Sequence, residues 1–183
     1  MSYRPPEPLS PHHDLAGFAC ASEEQTDWLL RHARQSAAAS STRVFVVTPS
    51  ASRAVVAYYA WAMAQLELAD APRRLASGAG RYPQPVALLA RLGVDRHHEG
   101  RGLGAALLRD VILRVAAISD EIGCRGLLVH AESERARDLY LHLVPEFAPS
   151  PTDELHLVLL LEDIRRTLRA GQVDIGGGLG SRG

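Results

Sequence analysis

Two rhythms of apolar and polar positions run along the 183-residue chain, and each change of rhythm marks an element. After Ser22, the spacing of Trp28, Leu29 and Ala33 predicts a helix over Glu23 to Ala39 with Ser22 as its cap. Thr42 to Thr48 and Ala54 to Leu68 are rich in β-branched and aromatic residues and predict two strands, the second the longer. Asp70 to Pro85, with its Arg, Gly and Pro residues, reads as a loop. A strand over 86–94, a helix over 102–119, a strand over 126–131 and a helix over 133–143 follow. Leu155 to Leu161 is expected as a last strand and Glu162 to Arg169 as a short helical end. Residues 1–12 and the glycine-rich 170–183 are expected to be disordered, leaving one domain over 13–169 with no internal repeat.

Residues 86–108 carry the strongest chemical signal. An apolar strand runs into a polar turn, then into Gly100, Gly102 and Gly104, then into an Ala- and Leu-rich helix. Without Cβ atoms the backbone there can bend and turn successive N–H groups toward one point. The first-turn amides and the positive dipole end of the helix add to the same place, which makes a seat for phosphate. Arg96 and Arg101 stand beside it with full charges. A P-loop is excluded because the chain has no lysine to close the turn. A dinucleotide turn over Gly100, Gly102 and Ala105 fits poorly. Five polar residues, Asp95 to Glu99, separate the strand from the first glycine, and Glu121 lies before the next apolar run.

Val94 to Gly104 resembles the acetyl-coenzyme A loop of the GCN5-related N-acetyltransferases (GNAT), with the pattern Gln/Arg-x-x-Gly-x-Gly/Ala after a strand. The pattern falls on Gly102 and Gly104, and Glu99 stands where Gln or Arg is usual. The resemblance implies an α+β fold with a central mixed, mostly antiparallel sheet flanked by helices and a splayed parallel strand pair at the coenzyme. It implies acetyl-CoA as co-substrate, held by Leu92, Val94, Arg96, Arg101, Gly102, Leu103, Gly104 and Ala105.

The segment GLLVHAESERARDLYLHL, residues 126–143, reads as a buried strand and then a helix with Ala136, Leu139, Tyr140 and Leu143 at helical spacing. Ser133 and Tyr140, seven residues apart, share one line along it. By the residues alone Tyr140 is either a core aromatic or a functional phenol. In the GNAT family a tyrosine at this place gives a proton to the departing coenzyme thiolate, and Ser133 stands where an Asn often contacts the coenzyme. A phenol with pKa about 10 keeps its proton at neutral pH, as that task requires.

Composition bounds the rest. Apolar content of 46% is ordinary for a soluble protein, no run is long enough to span a membrane, and MSYRPPEPLSPHHD lacks a signal-peptide core. Cys20 and Cys124 are too few for a disulfide framework, which favours a cytoplasmic setting. His12-His13 and His97-His98 lack partners at ligand spacing, so no metal is expected. The net charge of -1 hides an uneven distribution: from Arg43 to Arg137 arginines outnumber acids thirteen to nine. Diffuse surface charge explains that, or a basic groove for a polyanion in which Arg73, Arg74 and Arg81 are the candidate nucleic-acid contacts.

His13 to Cys20, Thr26 to Leu29, His32-Ala33, Thr42 to Val47 and Val56 to Tyr59 further resemble the opening of the acetyltransferase toxins of type II toxin–antitoxin modules. That resemblance covers roughly residues 12–162. It implies acetyl transfer to the α-amine of an aminoacyl-tRNA, an arrest of translation, a ribbon-helix-helix antitoxin as partner, and a homodimer among the allowed assemblies. The chain departs at Glu99 and after Tyr140, where His142 to Phe147 replaces the usual His-x-Gly-Phe. Glu132 and Glu67 are candidate bases through water. Two rival readings are acetylation of a small amine or a protein N-terminus, and a non-catalytic coenzyme-binding module.

Overall fold

The structure, a computed structural model, describes residues 2–78 and 80–176, with backbone alone for 171–176. The single domain read from the sequence divides into two compact units interleaved along the chain. One is Met1–Ala64 with Ala87–Leu113, the other Gln65–Val86 with the chain from Arg114 onward.

The first unit holds strands β1 (Glu7–Pro8), β2 (Arg43–Val47), β3 (Ala57–Leu66) and β4 (Gln84–Val94), neighbours in that order, the last two extending into the second unit. β1 pairs with β2 and β2 with β3, both antiparallel, with Phe45 opposite Tyr59 and Val46 opposite Tyr58. Alternation along a strand then sends Val44, Val46, Tyr58 and Ala60 into one apolar cluster with Leu29 and Ala33. Phe45 and Tyr59 stack on the opposite face, ring centroids 5.2 Å apart. Both faces are covered, so these strands read in sequence as nearly unbroken apolar runs rather than as alternation.

Helix α1 (Glu23–Arg31) starts as expected: Ser22 Oγ accepts from the Gln25 amide at 3.2 Å, and Glu23 and Glu24 occupy the first turn. The single helix expected over 23–39 breaks at His32, where φ is -120°, and resumes as α2 (Ala33–Ala38). Residues 3–10 are not the free tail the sequence suggested. The Arg4 amide donates to Thr48 O at 2.9 Å and β1 lies on β2, because edge strand β2 offers unpaired backbone groups to it.

The second unit contains α3 (Arg73–Ala76), β5 (Gly126–His130), α5 (Glu134–Leu143), β6 (Ala148–Pro149), β7 (His156–Leu160) and α6 (Leu161–Gly176). α4 (Leu103–Ile118) begins in the first unit and ends in the second. β5 and β6 each pair antiparallel with β7. A Cβ on Gly126 would sit 2.4 Å from Leu159 O, so only glycine allows this approach of β5 to β7. The loop expected over 70–85 contains α3, and α6 continues to Gly176, into the expected tail; residues 177–183 lie outside the described residues.

Candidate coenzyme and acceptor residues

β4 ends against the front of the chain, and one carboxylate fastens it there. Asp95, 5% exposed, accepts from the amides of Ala19 and His97, each at 2.9 Å, and from His97 Nδ1 at 3.2 Å. Its own amide donates to Val56 O at 2.8 Å, and Arg96 N donates to Ala19 O at 2.9 Å. Burial pushes the Asp95 carboxyl up, but these hydrogen bonds outweigh it and hold the group below the usual carboxylate range. A step earlier, a Cβ on Gly93 would lie 2.9 Å from Tyr58 Cε1; the glycine lets β4 rest on that buried ring. Tyr58 is itself fixed, its hydroxyl donating to Gln25 O at 2.7 Å.

Asp95 caps a short 3-10 turn over Arg96–His98, after which Gly100 and Gly102 take φ of 70° and 78°. Both lie in the left-handed region that L side chains avoid. An ideal Cβ on either meets nothing within 4 Å, so the turn is open on the outside. Leu103, buried, anchors the first turn of α4, and Gly102 O accepts from Ala106 N at 3.0 Å. The amides of Leu103, Gly104 and Ala105 precede any carbonyl the helix can offer them. Gly104 differs from Gly102: its φ is not positive, and a Cβ there would only touch Val94 Cγ2 at 4.0 Å.

The two arginines of this region behave differently. Arg96 turns back, its Nε and Nη2 reaching Ala19 O and Cys20 O at 3.4 Å, so it ties the turn to the front segment instead of projecting over it. Arg101 is exposed and makes long contacts, 3.3 Å each, to Tyr3 Oη and His97 O. Glu99 is exposed, while Leu92 and Val94 on β4 are half-buried.

In the second unit, Ser133 caps α5, its Oγ accepting from Ala136 N at 3.2 Å, which leaves the hydroxyl proton to donate. Tyr140 is half-buried on that helix, and its ring meets the edge of Phe147 at 6.2 Å. Phe147 is buried at 4% exposure, so the altered segment after Tyr140 still returns an aromatic to it. Burial, and secondarily the negative charge of Glu132, push the Tyr140 phenol well above its ordinary value, so it stays protonated. Glu67 stands exposed just past β3.

Arg73 and Arg81 are exposed. Arg74 is not a spare cation: Nη1 and Nη2 fork onto the buried Asp163 carboxylate at 2.8 and 3.0 Å, with Glu162 at 3.5 Å. Asp163 lies 89 positions away, too far along the chain for local spacing to reveal the pairing. The histidine pairs, expected to lack carboxylate partners, have nearby ones, Glu7 for His13 and Asp95 for His97. Among the described residues, only Glu7, His12 and His13 can bring three ligand atoms together. Ser10 N donates to His13 Nδ1 at 3.0 Å, so Nε2 carries the proton that Glu7 accepts at 3.1 Å. That imidazole is committed as a latch on β1 and presents no lone pair to a metal.

Residues 64–143 match the family model described as Acetyltransferase (GNAT) family. The tRNA-acetylating toxin of Mycobacterium tuberculosis (strain ATCC 25618 / H37Rv) is 40% identical over 163 residues, which cover 89% of this chain and 95% of that protein. The solved structure of AtaT complexed with acetyl-methionyl-tRNAfMet is similar at a TM-score of 0.82 and 26% identity, covering 91% of this chain and 99% of that one. A Tyr→Phe variant of AtaT bound to the C-terminus of the antitoxin AtaR is similar at a TM-score of 0.76 and 25% identity, over 90% and 97% of the two chains. No helix among the described residues is long and apolar enough to cross a membrane.

Proposed function

Because the chain belongs to the GNAT acetyltransferase family, we propose that it transfers the acetyl group of acetyl-CoA to the α-amine of an aminoacyl-tRNA, as the toxin of a type II toxin–antitoxin pair. The observation that carries this reading is the open turn at Gly100 and Gly102 leading into α4, in a chain 40% identical to a tRNA-acetylating toxin over nearly its whole length. Its partner is an antitoxin of ribbon-helix-helix type, and it acts in the cytoplasm, where charged tRNA is found. A homodimer is the assembly proposed for it.

The residues fit the coenzyme. A diphosphate needs convergent N–H donors and no side chain in the way, and the turn supplies both. Gly102, Leu103, Gly104 and Ala105 hold the phosphates through their backbone, and exposed Arg101 adds a positive charge. Leu92 and Val94 offer strand backbone to the pantetheine arm and the thioester carbonyl, and the Ser133 hydroxyl donates to the coenzyme. Arg96 contributes by fastening the turn, since its guanidinium is engaged with Ala19 and Cys20. Acetyl-CoA supplies the activated acyl group and a thiolate leaving group.

The α-amine of an aminoacyl ester is less basic than a lysine amine, so much of it is neutral at working pH and attacks without a strong base. Glu132 or Glu67, through water, receives the proton the amine releases. Tyr140 donates to the sulfur as the C–S bond breaks. Its raised pKa makes complete transfer to a thiolate uphill by about 1.4 kcal/mol per unit of mismatch. Tyr140 therefore acts as a hydrogen-bond donor to the developing charge, and the proton that the carboxylate took from the amine passes through water to the leaving thiolate, so that Tyr140 ends the turnover still protonated.

The test is to incubate the protein with labelled acetyl-CoA and total charged tRNA and identify the labelled product. N-acetyl-aminoacyl-tRNA is expected, with kcat lowered roughly 10²- to 10⁴-fold in Tyr140→Phe. Expression of the wild-type chain alone arrests growth, and the variant relieves the arrest. Label on small amines or on protein, with tRNA unmodified, overturns the assignment.

A further inference from the structure

A cleft of about 340 Å³ in the second unit is lined by Arg74, Arg125, Arg165 and Arg169, together with Cys124 and, as its acid, Glu162. The cations divide into two kinds. Arg74 is spent on Asp163 and Glu162, and Arg165 is held by Asp120 and by Ser119 Oγ at 3.2 Å. Arg125 donates to a neutral acceptor, Gln84 Oε1, at 2.8 Å, which orients its guanidinium without compensating its charge. Arg169 has no acid partner among the described residues, and it follows Arg165 by one helical turn on the same face of α6. Two uncompensated guanidiniums thus face one concavity whose acids are already paired. Two such guanidiniums in one concavity attract an anion, and arginine forks match the paired oxygens of a phosphate.

We propose that this cleft seats a backbone phosphate of the tRNA substrate, gripped by Arg125 and Arg169. The inference rests on the tRNA-acetylating reading and moves the polyanion contact from Arg74, which the fold consumes, to residues 125 and 169. Exposed Arg73, on the same short helix as Arg74, extends the cationic surface. The cleft has room for a phosphodiester, and its charge suits a chain that presents phosphates at regular intervals better than the isolated acids of a peptide.

The experiment measures binding of labelled deacylated total tRNA as a function of salt concentration, for wild type, Arg169→Ala and the Arg125→Gln/Arg169→Ala pair. Acetyl-CoA affinity and melting temperature are read beside it. The slope of log K against log salt should flatten by about one unit for the pair, which removes the whole grip on the phosphate, and by part of that for Arg169→Ala, with acetyl-CoA affinity unchanged. Arg169 is exposed near the end of the described side chains, so its single variant keeps the test valid if the pair fails to fold. Unchanged slopes in folded variants of an enzyme that acetylates tRNA overturn the cleft assignment alone. A wild-type protein that neither binds nor acetylates tRNA removes the underlying reading.

Discussion

The Asp95 carboxylate accepts a 2.9 Å hydrogen bond from the amide of Ala19, joining the end of β4 to a segment 76 residues earlier in the chain. The bond sets the exit direction of the strand and so the position of the glycine turn. Asp95→Ala would remove the acceptor of two part-buried amide donors, those of Ala19 and His97, at a cost of about 1 kcal/mol or more. It should also weaken acetyl-CoA binding, although Asp95 touches no coenzyme in the proposed mechanism. Because the folded pKa lies below the unfolded one, the ionised carboxylate stabilises the fold fully above about pH 4 and loses that contribution as the pH falls through the folded value. The stability gap between wild type and Asp95→Asn, followed by denaturant melts, should therefore narrow from about pH 5 toward about pH 3.

What the sequence disclosed was local. Helical and strand periods, the Ser22 cap and the backbone need for glycine at 100 and 102 depend on neighbours within a few positions, and all are read from the chain itself. Gly93 and Asp95 were not legible. One exists to clear Tyr58 and the other to hold Ala19, and neither partner is adjacent in sequence. The fork of Arg74 onto Asp163 is hidden for the same reason, since its carboxylate comes from α6, 89 positions along the chain. In residues 3–10 the prolines break every period and so point to no element, yet a two-residue edge strand needs no period to pair.

The two glycines of the loop motif should part company under substitution. Gly102→Ala places an L residue at φ 78°, costing about 1–2 kcal/mol and shifting amides in the phosphate seat, so both melting temperature and acetyl-CoA affinity should fall. Gly104→Ala adds a methyl that meets Val94 Cγ2 at ordinary van der Waals distance inside a helix, where alanine is favoured by up to about 1 kcal/mol. Calorimetric titration should find its coenzyme affinity within about twofold of wild type. The Gly/Ala alternative in the family pattern thus has a backbone reason.

Arg73 and Arg74 are consecutive yet should respond oppositely. Arg74→Ala leaves the buried Asp163 with Arg166 as its remaining charged partner and should lower the melting temperature. Arg73→Ala and Arg81→Ala remove exposed side chains and should leave melting unchanged while flattening the salt dependence of tRNA binding. An Arg74→Ala protein with native stability would show that the fork onto Asp163 is not a structural tie.

The Tyr140 phenol can be titrated without substrate. An ultraviolet difference titration of wild type minus Tyr140→Phe isolates its phenolate, which should form well above the ordinary value of about 10. The raised pKa means that the folded state keeps this proton where the unfolded chain releases it. Stability from Tyr140 is thus complete below about pH 10 and declines as the pH rises beyond it. Glu132→Gln removes the like charge but not the burial, so the midpoint should move down by less than the whole displacement. A midpoint at the free-tyrosine value in wild type would mean that water solvates the hydroxyl fully. Tyr140 would then be an ordinary exposed phenol, with no environment tuned to hold its proton for the sulfur.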